Sequence, residues 1–263
     1  MKSDAPLASP SPRLLAAARR YLRRYTARHF NSLRIAIDGP APTLDGPTIF
    51  YANHPSWWDP IVMLLLIQMD YSDWRFQGPI DAVALKRYPW LGRLGLFGIE
   101  LDSLRGARRF LDVGHELLAA DRTGLAMTAQ GRFADTRQRP LELKRGLSQL
   151  LRRNPSARAI PLALEYVHWN ERLPEILVRF GRSPISANGR SADAIHADLE
   201  ASLERELDQL TVAAIARDPA AFDSLLEGRG GVGWLQDLPF RVRALFKGER
   251  FDPSHDAIGR NTG

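Results

Sequence analysis

Residues 48–67, Thr48-Ile49-Phe50-Tyr51-Ala52-Asn53-His54-Pro55-Ser56-Trp57-Trp58-Asp59-Pro60-Ile61-Val62-Met63-Leu64-Leu65-Leu66-Ile67, decide how this chain is read. The first five are rich in β-branched and aromatic residues, the composition of a buried strand. Pro60 suits the first turn of a helix. Residues 61–67 are an unbroken apolar run, the pattern of a helix buried on several faces. His54 is therefore expected where a strand ends, and Asp59 in the first turn of the helix that follows. From there the carboxylate can fold back and accept a hydrogen bond from one ring nitrogen, leaving the other as a base. An imidazole held in this way takes a proton from a hydroxyl group, so the motif points to acyl transfer to an alcohol. The same residues also fit a plainer arrangement, in which Asp59 is an acid favoured by the helix dipole and His54 is only its neighbour.

Outward from this stretch, strand-like and helix-like runs alternate. Strands are expected at 33–38, 47–52, 82–85, 98–102, 124–129, 159–166 and 175–180. Helices are expected at 60–70, 88–94, 104–120, 144–153 and 191–216. In the long last helix Ser191 is a cap, and Ile195, Leu199, Leu203, Leu207 and Leu210 form the seam. Such alternation predicts an α/β fold with a mostly parallel central sheet flanked by helices.

The chain has 263 residues, room for one sizeable α/β domain with appendages. We divide it into a Pro-rich lead plus a basic amphipathic helix at 1–31, the α/β domain at 32–227, and a Gly hinge with a basic, aromatic segment at 228–263. The formal net charge is +6, and all of it lies in the first 31 residues, where seven Lys and Arg face Asp4 alone. A nucleic-acid binder spreads its charge over a face of the fold, so no nucleic-acid partner is expected. A basic helix whose Leu14, Leu15, Ala18, Tyr21, Leu22 and Tyr25 share one stripe suits either an anionic membrane surface or the domain itself. The segment 234–251, which interleaves Trp and Phe with Arg and Lys, has the same two uses. The longest apolar run, 61–67, is far short of the ~20 residues that span a bilayer. There is no Cys, which excludes a thiolate nucleophile, a disulfide framework and a zinc–thiolate site. No spacing of metal ligands, Gly-x-Ser-x-Gly elbow or phosphate-cradling Gly-rich run is present.

Four blocks stand in a telling order. Asn53-His54 with Asp59 comes first. Gly98-Ile99-Glu100-Leu101-Asp102-Ser103 is second, Thr128-Ala129-Gln130-Gly131-Arg132 third, and Ala159-Ile160-Pro161-Leu162-Ala163 fourth. Lys86 and Tyr88-Pro89-Trp90-Leu91-Gly92 precede the second. Over residues 32–182 this order resembles the glycerophospholipid acyltransferase family, the group of 1-acylglycerol-3-phosphate O-acyltransferases with a His-x4-Asp (HX4D) motif. The resemblance implies that His54 is the general base and that Asp59 orients it. A lipid hydroxyl would attack the thioester of acyl-CoA or acyl-carrier protein directly, with no cofactor beyond that co-substrate and no metal. It also implies a lysophospholipid-like acceptor bound near Asn53, Arg105, Gln130, Gly131 and Arg132. Attachment would be peripheral, at the cytoplasmic side of the cell membrane.

Several positions depart from the family's pattern. Ser103 stands where the second block has Arg, with Arg105 two residues on. Gln130 stands where the third block has Glu, and Phe133 where it has Arg, with Arg132 displaced by one. Those family residues meet the acceptor's phosphate or headgroup, and a phosphate is best held by Arg. A non-phosphate acceptor, such as a glycolipid or an amino-acid lipid, is therefore also open. So is a non-catalytic membrane-binding role on the same fold. Trp57 and Trp58 suit either an acyl-chain or membrane-facing wall, or packing of the helix onto the core.

Overall fold

Ile49, Phe50 and Tyr51 are buried because β2 (Thr48–Ala52) runs through the middle of an eight-stranded sheet. The computed structural model describes residues 10–228. Most of the Pro-rich lead, the Gly hinge and the 234–251 segment lie outside the described residues. The other strands are β1 (Ser32–Ala36), β3 (Arg75–Asp81), β4 (Leu96–Ile99), β5 (Thr123–Thr128), β6 (Arg158–Val167), β7 (Glu175–Phe180) and β8 (Phe222–Glu227). Their order is β4-β3-β5-β2-β6-β7-β1-β8. The pairs β3–β4, β3–β5, β2–β5, β2–β6 and β1–β7 are parallel, and β6–β7 and β1–β8 are antiparallel. The mixed α/β architecture with a largely parallel core follows the expectation from sequence. Strands β2 to β6 thus end at one edge of the sheet, and His54 lies just beyond it.

Side chains alternate along β2, so each face of the sheet has its own core. Ile49 and Tyr51 pack under α4 (Leu104–Ala119), α5 (Gly146–Arg153) and α6 (Ala192–Ala216), through Phe110, Leu117, Leu147, Leu199 and Leu203 among others. Phe50 and Ala52 meet α2 (Asp59–Asp70), through Val62, Met63, Leu66 and Ile67. Each such fully buried side chain contributes about 1.5–3 kcal/mol.

Helix α2 is apolar nearly all round because it is covered twice. The sheet lies on one side and α1 (Pro12–His29) on the other. Arg19 Nη1 donates to the Gln68 carbonyl at 3.1 Å, and the Tyr25 ring stacks on Trp58 at 5.3 Å. The stripe of α1 that runs through Leu14, Ala18, Leu22 and Tyr25 is half-buried here, while Tyr21 and the arginines stay exposed.

Three elements differ from the sequence reading. Residues 82–85, expected as a strand, belong to helix α3 (Ala82–Arg87), because the Asp81 carboxylate caps it by accepting from the Val83 N–H at 2.9 Å. The strand lies just before, in β3. It pairs with β5 over 75–77 and with β4 over 78–81. Gly78 sits at the change of partner, where a Cβ would stand 2.5 Å from the Ala126 carbonyl oxygen. Gly-Pro in mid-strand hides β3 from a pattern search. The edge strand β8 is short and weakly alternating, and the sequence reading did not include it.

Candidate active site

Asn53 continues the ladder between β2 and β6 with its side chain. Nδ2 donates to the Leu164 carbonyl and Oδ1 accepts from the Leu164 N–H, both at 2.9 Å. The residue is buried. Its amide fixes where the chain leaves the sheet, and both ends are engaged inside the protein. Pro55 and a turn at 57–58 then lead into α2, with Ser56 Oγ accepting from the Trp58 N–H at 3.2 Å.

This turn brings His54 and Asp59 together. The ring nitrogen Nδ1 stands 2.6 Å from Asp59 Oδ2. The carboxylate is fully buried, and the imidazole is 16% exposed. Facing a carboxylate, Nδ1 carries the proton, and Nε2 keeps its lone pair. Asp59 also accepts from the Ser56 N–H at 3.0 Å and, through Oδ1, from the Tyr166 hydroxyl at 2.6 Å. Its place in the first turn of α2 adds the favourable end of the helix dipole. Burial, and then the Asp59 charge, push the Tyr166 phenol far up. The hydroxyl therefore remains a donor.

Tyr166 has no local signal toward Asp59 in the sequence. It is one residue of a strand, and only the pairing of β2 with β6 brings it to α2. Tyr166→Phe is expected to leave Oδ1 without its hydrogen bond, at a cost of about 1–3 kcal/mol in stability. A carboxylate freed on that side no longer holds the imidazole in one orientation. If the pair acts as a base, kcat falls by about tenfold with KM little changed, the low end of the roughly 1.5–3 kcal/mol that a hydrogen bond to a charged group is worth, because Tyr166 acts only through Asp59. A loss of melting temperature with unchanged kcat limits Tyr166 to stability.

The loop after β5 holds the His54 backbone on both sides. Gln130 Oε1 accepts from the His54 N–H at 2.9 Å, and the His54 carbonyl accepts from the Ala134 N–H at 3.0 Å. Gln130 Nε2 donates to the Leu141 carbonyl at 2.9 Å, and the side chain is buried. Gly131 follows at φ +63°, a left-handed turn that favours glycine. Both ends of the Gln130 amide are therefore engaged within the protein. Gln130→Glu, which restores the residue usual in the third block, places a carboxylate oxygen against the Leu141 carbonyl. It is expected to lower stability by about 1–3 kcal/mol, read as a shift in the urea midpoint. An unchanged midpoint overturns this account of Gln130.

Phe133 lies over the site, its ring centroid 4.4 Å from that of His54. Trp58 is half-buried among Tyr25, His29 and Phe30, whereas Trp57 is exposed. The two expected headgroup arginines are exposed and ion-paired, Arg105 with Glu100 at 3.5 Å and Arg132 with Glu142. Lys144 joins the loop after β5 to the loop after β4 through Asp102 at 2.8 Å. Such surface pairs are worth about 0–1 kcal/mol and yield readily to a better anion. Among the described residues no group of three His, Asp or Glu is placed to hold a metal ion. No described helix is long and apolar enough to cross a membrane.

No protein-family model matches this chain, and no curated protein matches it in sequence. Among solved structures, the fold is similar to the crystal structure of the 1-acyl-sn-glycerophosphate (LPA) acyltransferase PlsC from Thermotoga maritima. The TM-score is 0.53 with 16% sequence identity, over 75% of this chain and 80% of that one. At this identity the likeness is one of fold: a mixed α/β domain built on a central eight-stranded sheet and flanked by helices.

Proposed function

We propose that this chain is a membrane-associated O-acyltransferase that moves a fatty acyl group from a thioester to a lipid hydroxyl. One observation carries the reading. A half-buried imidazole is backed by a fully buried carboxylate, at the sheet edge where open α/β folds bind their ligands. The fold shared with an acyltransferase supports it.

In the proposed reaction His54 Nε2 takes the proton from the acceptor hydroxyl as that oxygen attacks the thioester carbonyl carbon. Asp59 stabilises the imidazolium that forms. The C–S bond then breaks, and the leaving sulfur receives the proton from His54. The products are an ester and a free thiol, with no acyl-enzyme between. Acyl-CoA and acyl-carrier protein both present the required thioester. Peripheral membrane attachment suits the surface around the site. The exposed Trp57, Leu104 and Phe133 follow the ends of β2, β4 and β5, and the arginines of α1 face outward.

For the acceptor, a lysophospholipid of the 1-acylglycerol-3-phosphate type would recruit Arg105 and Arg132 from their surface pairs. A second reading is favoured by Phe133, which places an aromatic ring against His54 at the family's arginine position. On that reading the acceptor is a lipid alcohol without a phosphate monoester, such as a glycolipid or an amino-acid lipid. The test is thiol release from acyl-CoA and from acyl-carrier protein, with products identified, across phosphate-headed and phosphate-free acceptors. Ester formation with one acceptor class decides between the two readings. No release with any donor or acceptor overturns both.

A further inference from the structure

A cleft of about 590 Å³ is lined in part by Pro55 and Ser56, the two residues that follow His54. Its volume lies in the range of small-ligand sites, about 300–1,000 Å³. One wall is aromatic. Phe30 meets Trp58 edge-on at 4.7 Å and Tyr166 at 5.8 Å between ring centroids, and all three line the cleft. Tyr166 belongs to both places, since its ring faces the cleft and its hydroxyl holds Asp59.

The cleft also carries charge. Glu165, next to Tyr166 on β6, is half-buried and lines the cleft. One of its oxygens accepts from the Thr211 hydroxyl at 3.1 Å, and the other takes no hydrogen bond from a described residue. Burial pushes the Glu165 carboxyl up, so a cation beside it would favour the ionised form. Asp135 and Arg137 also line the cleft, but they neutralise each other. Arg137 donates through Nε and Nη2 to the two Asp135 oxygens, each at 2.8 Å. The exposed His168 also lines the cleft. A phosphate would meet the Glu165 carboxylate here, and would gain a donor only by drawing Arg137 from its surface pair with Asp135. An ammonium group would find a carboxylate and three aromatic side chains, the kinds of group that recognise quaternary and primary ammonium ligands.

We propose that this cleft binds an ammonium-bearing headgroup of the acceptor lipid and so places the acceptor's hydroxyl at His54. The inference rests on the acyl-transfer reading for its meaning, though its binding test does not.

The test uses the full chain and calorimetric titration with two amphiphiles below their micelle concentrations, dodecyltrimethylammonium and dodecyl phosphate. The native protein is expected to bind the ammonium head about tenfold more tightly than the phosphate head, from one ion pair and cation–π contact. Glu165→Gln is expected to remove that preference, with dodecyl phosphate bound no more weakly than before. Equal binding of the two heads, or a preference that survives Glu165→Gln, overturns the proposal. The variant keeps the Thr211 hydrogen bond and removes a charge whose folded-state value is raised. That cost is absent below the ordinary Glu range and grows as pH rises through the folded value. Glu165→Gln should therefore melt no lower than the native protein at pH 7.5. Should it not fold, Phe30→Leu carries the same test, with a partial loss of preference expected and an unchanged preference overturning the proposal.

Transfer assays with ammonium-headed and phosphate-headed lysolipids separate this inference from the function it rests on. His54-dependent transfer to the phosphate-headed acceptor alone leaves the acyltransferase reading intact and ends the cleft proposal. Glu165-dependent ammonium binding with no transfer to any acceptor does the reverse.

Discussion

His54→Ala is expected to lower acyl transfer by about 10²–10⁴-fold, the range over which a positioned general base accelerates proton transfer. The fold should survive the change. What His54 contributes to structure is mostly backbone: its N–H donates to Gln130 and its carbonyl accepts from Ala134, and alanine keeps both. Asp59 loses one of its donors but keeps the Ser56 N–H and the Tyr166 hydroxyl. A circular dichroism spectrum and melting temperature close to those of the native protein, with turnover gone, is the expected pair of results. Turnover that persists within threefold removes His54 as the base. Because the ring is partly exposed, added imidazole should restore some activity to the alanine variant, and alanine elsewhere in the domain should give no such rescue.

Asp59→Asn is the second large effect, and the geometry decides its size. An asparagine at 59 must choose which side receives its amino group. If that group faces His54, Nδ1 loses its acceptor, the proton moves to Nε2, and the base is lost. In a Ser-His-Asp enzyme that outcome costs about 10⁴-fold. Here the Ser56 N–H points at the same oxygen as His54 Nδ1, which favours the carbonyl oxygen on that side. The tautomer is then kept, and what disappears is the negative charge that stabilises the imidazolium. A charge-assisted hydrogen bond in a dry site is worth about 1.5–3 kcal/mol, or roughly 10²-fold in rate. We therefore expect kcat to fall by about 10²-fold at unchanged KM. A fall approaching 10⁴-fold indicates the flipped amide. A variant that is only less stable, with normal turnover per folded molecule, reduces Asp59 to a helix-start acid.

Tyr166 and Gln130 show why part of the site was hidden in the sequence. His54 and Asp59 are five residues apart and are joined by one strand, one turn and one helix start. Local spacing is enough to predict their contact. Tyr166 lies 107 residues from Asp59, and Gln130 lies 76 from His54. Their contacts exist only because β5 and β6 both pair with β2. Gln130 was singled out through the order of blocks, as a position near the acceptor. In the structure its amide bonds the His54 backbone and Leu141, and the Asn53 amide bonds Leu164. In sequence Phe133 reads only as a missing arginine, and its tilted contact with His54 follows the turn at Gly131.

The same division runs through the fold. By itself the amino-acid sequence determined the alternation of strands and helices, the largely parallel character of the sheet, the basic stripe-bearing helix at the start, and the His–Asp pair beside its strand. These follow from periods of two and 3.6 residues and from short spacings, which act over one or two elements. The tertiary structure alone decided strand order, the exchange of partners that hides β3, and the edge strand β8. It also decided that α1 lays its stripe on α2. An apolar stripe records how much surface must leave water but not what covers it, because burial rewards area without regard to the partner. The cleft lined by Pro55 and Ser56 is of this second kind: Phe30, Trp58, Tyr166 and Glu165 come from three separate parts of the chain, and only the packed sheet and helices bring them to one space.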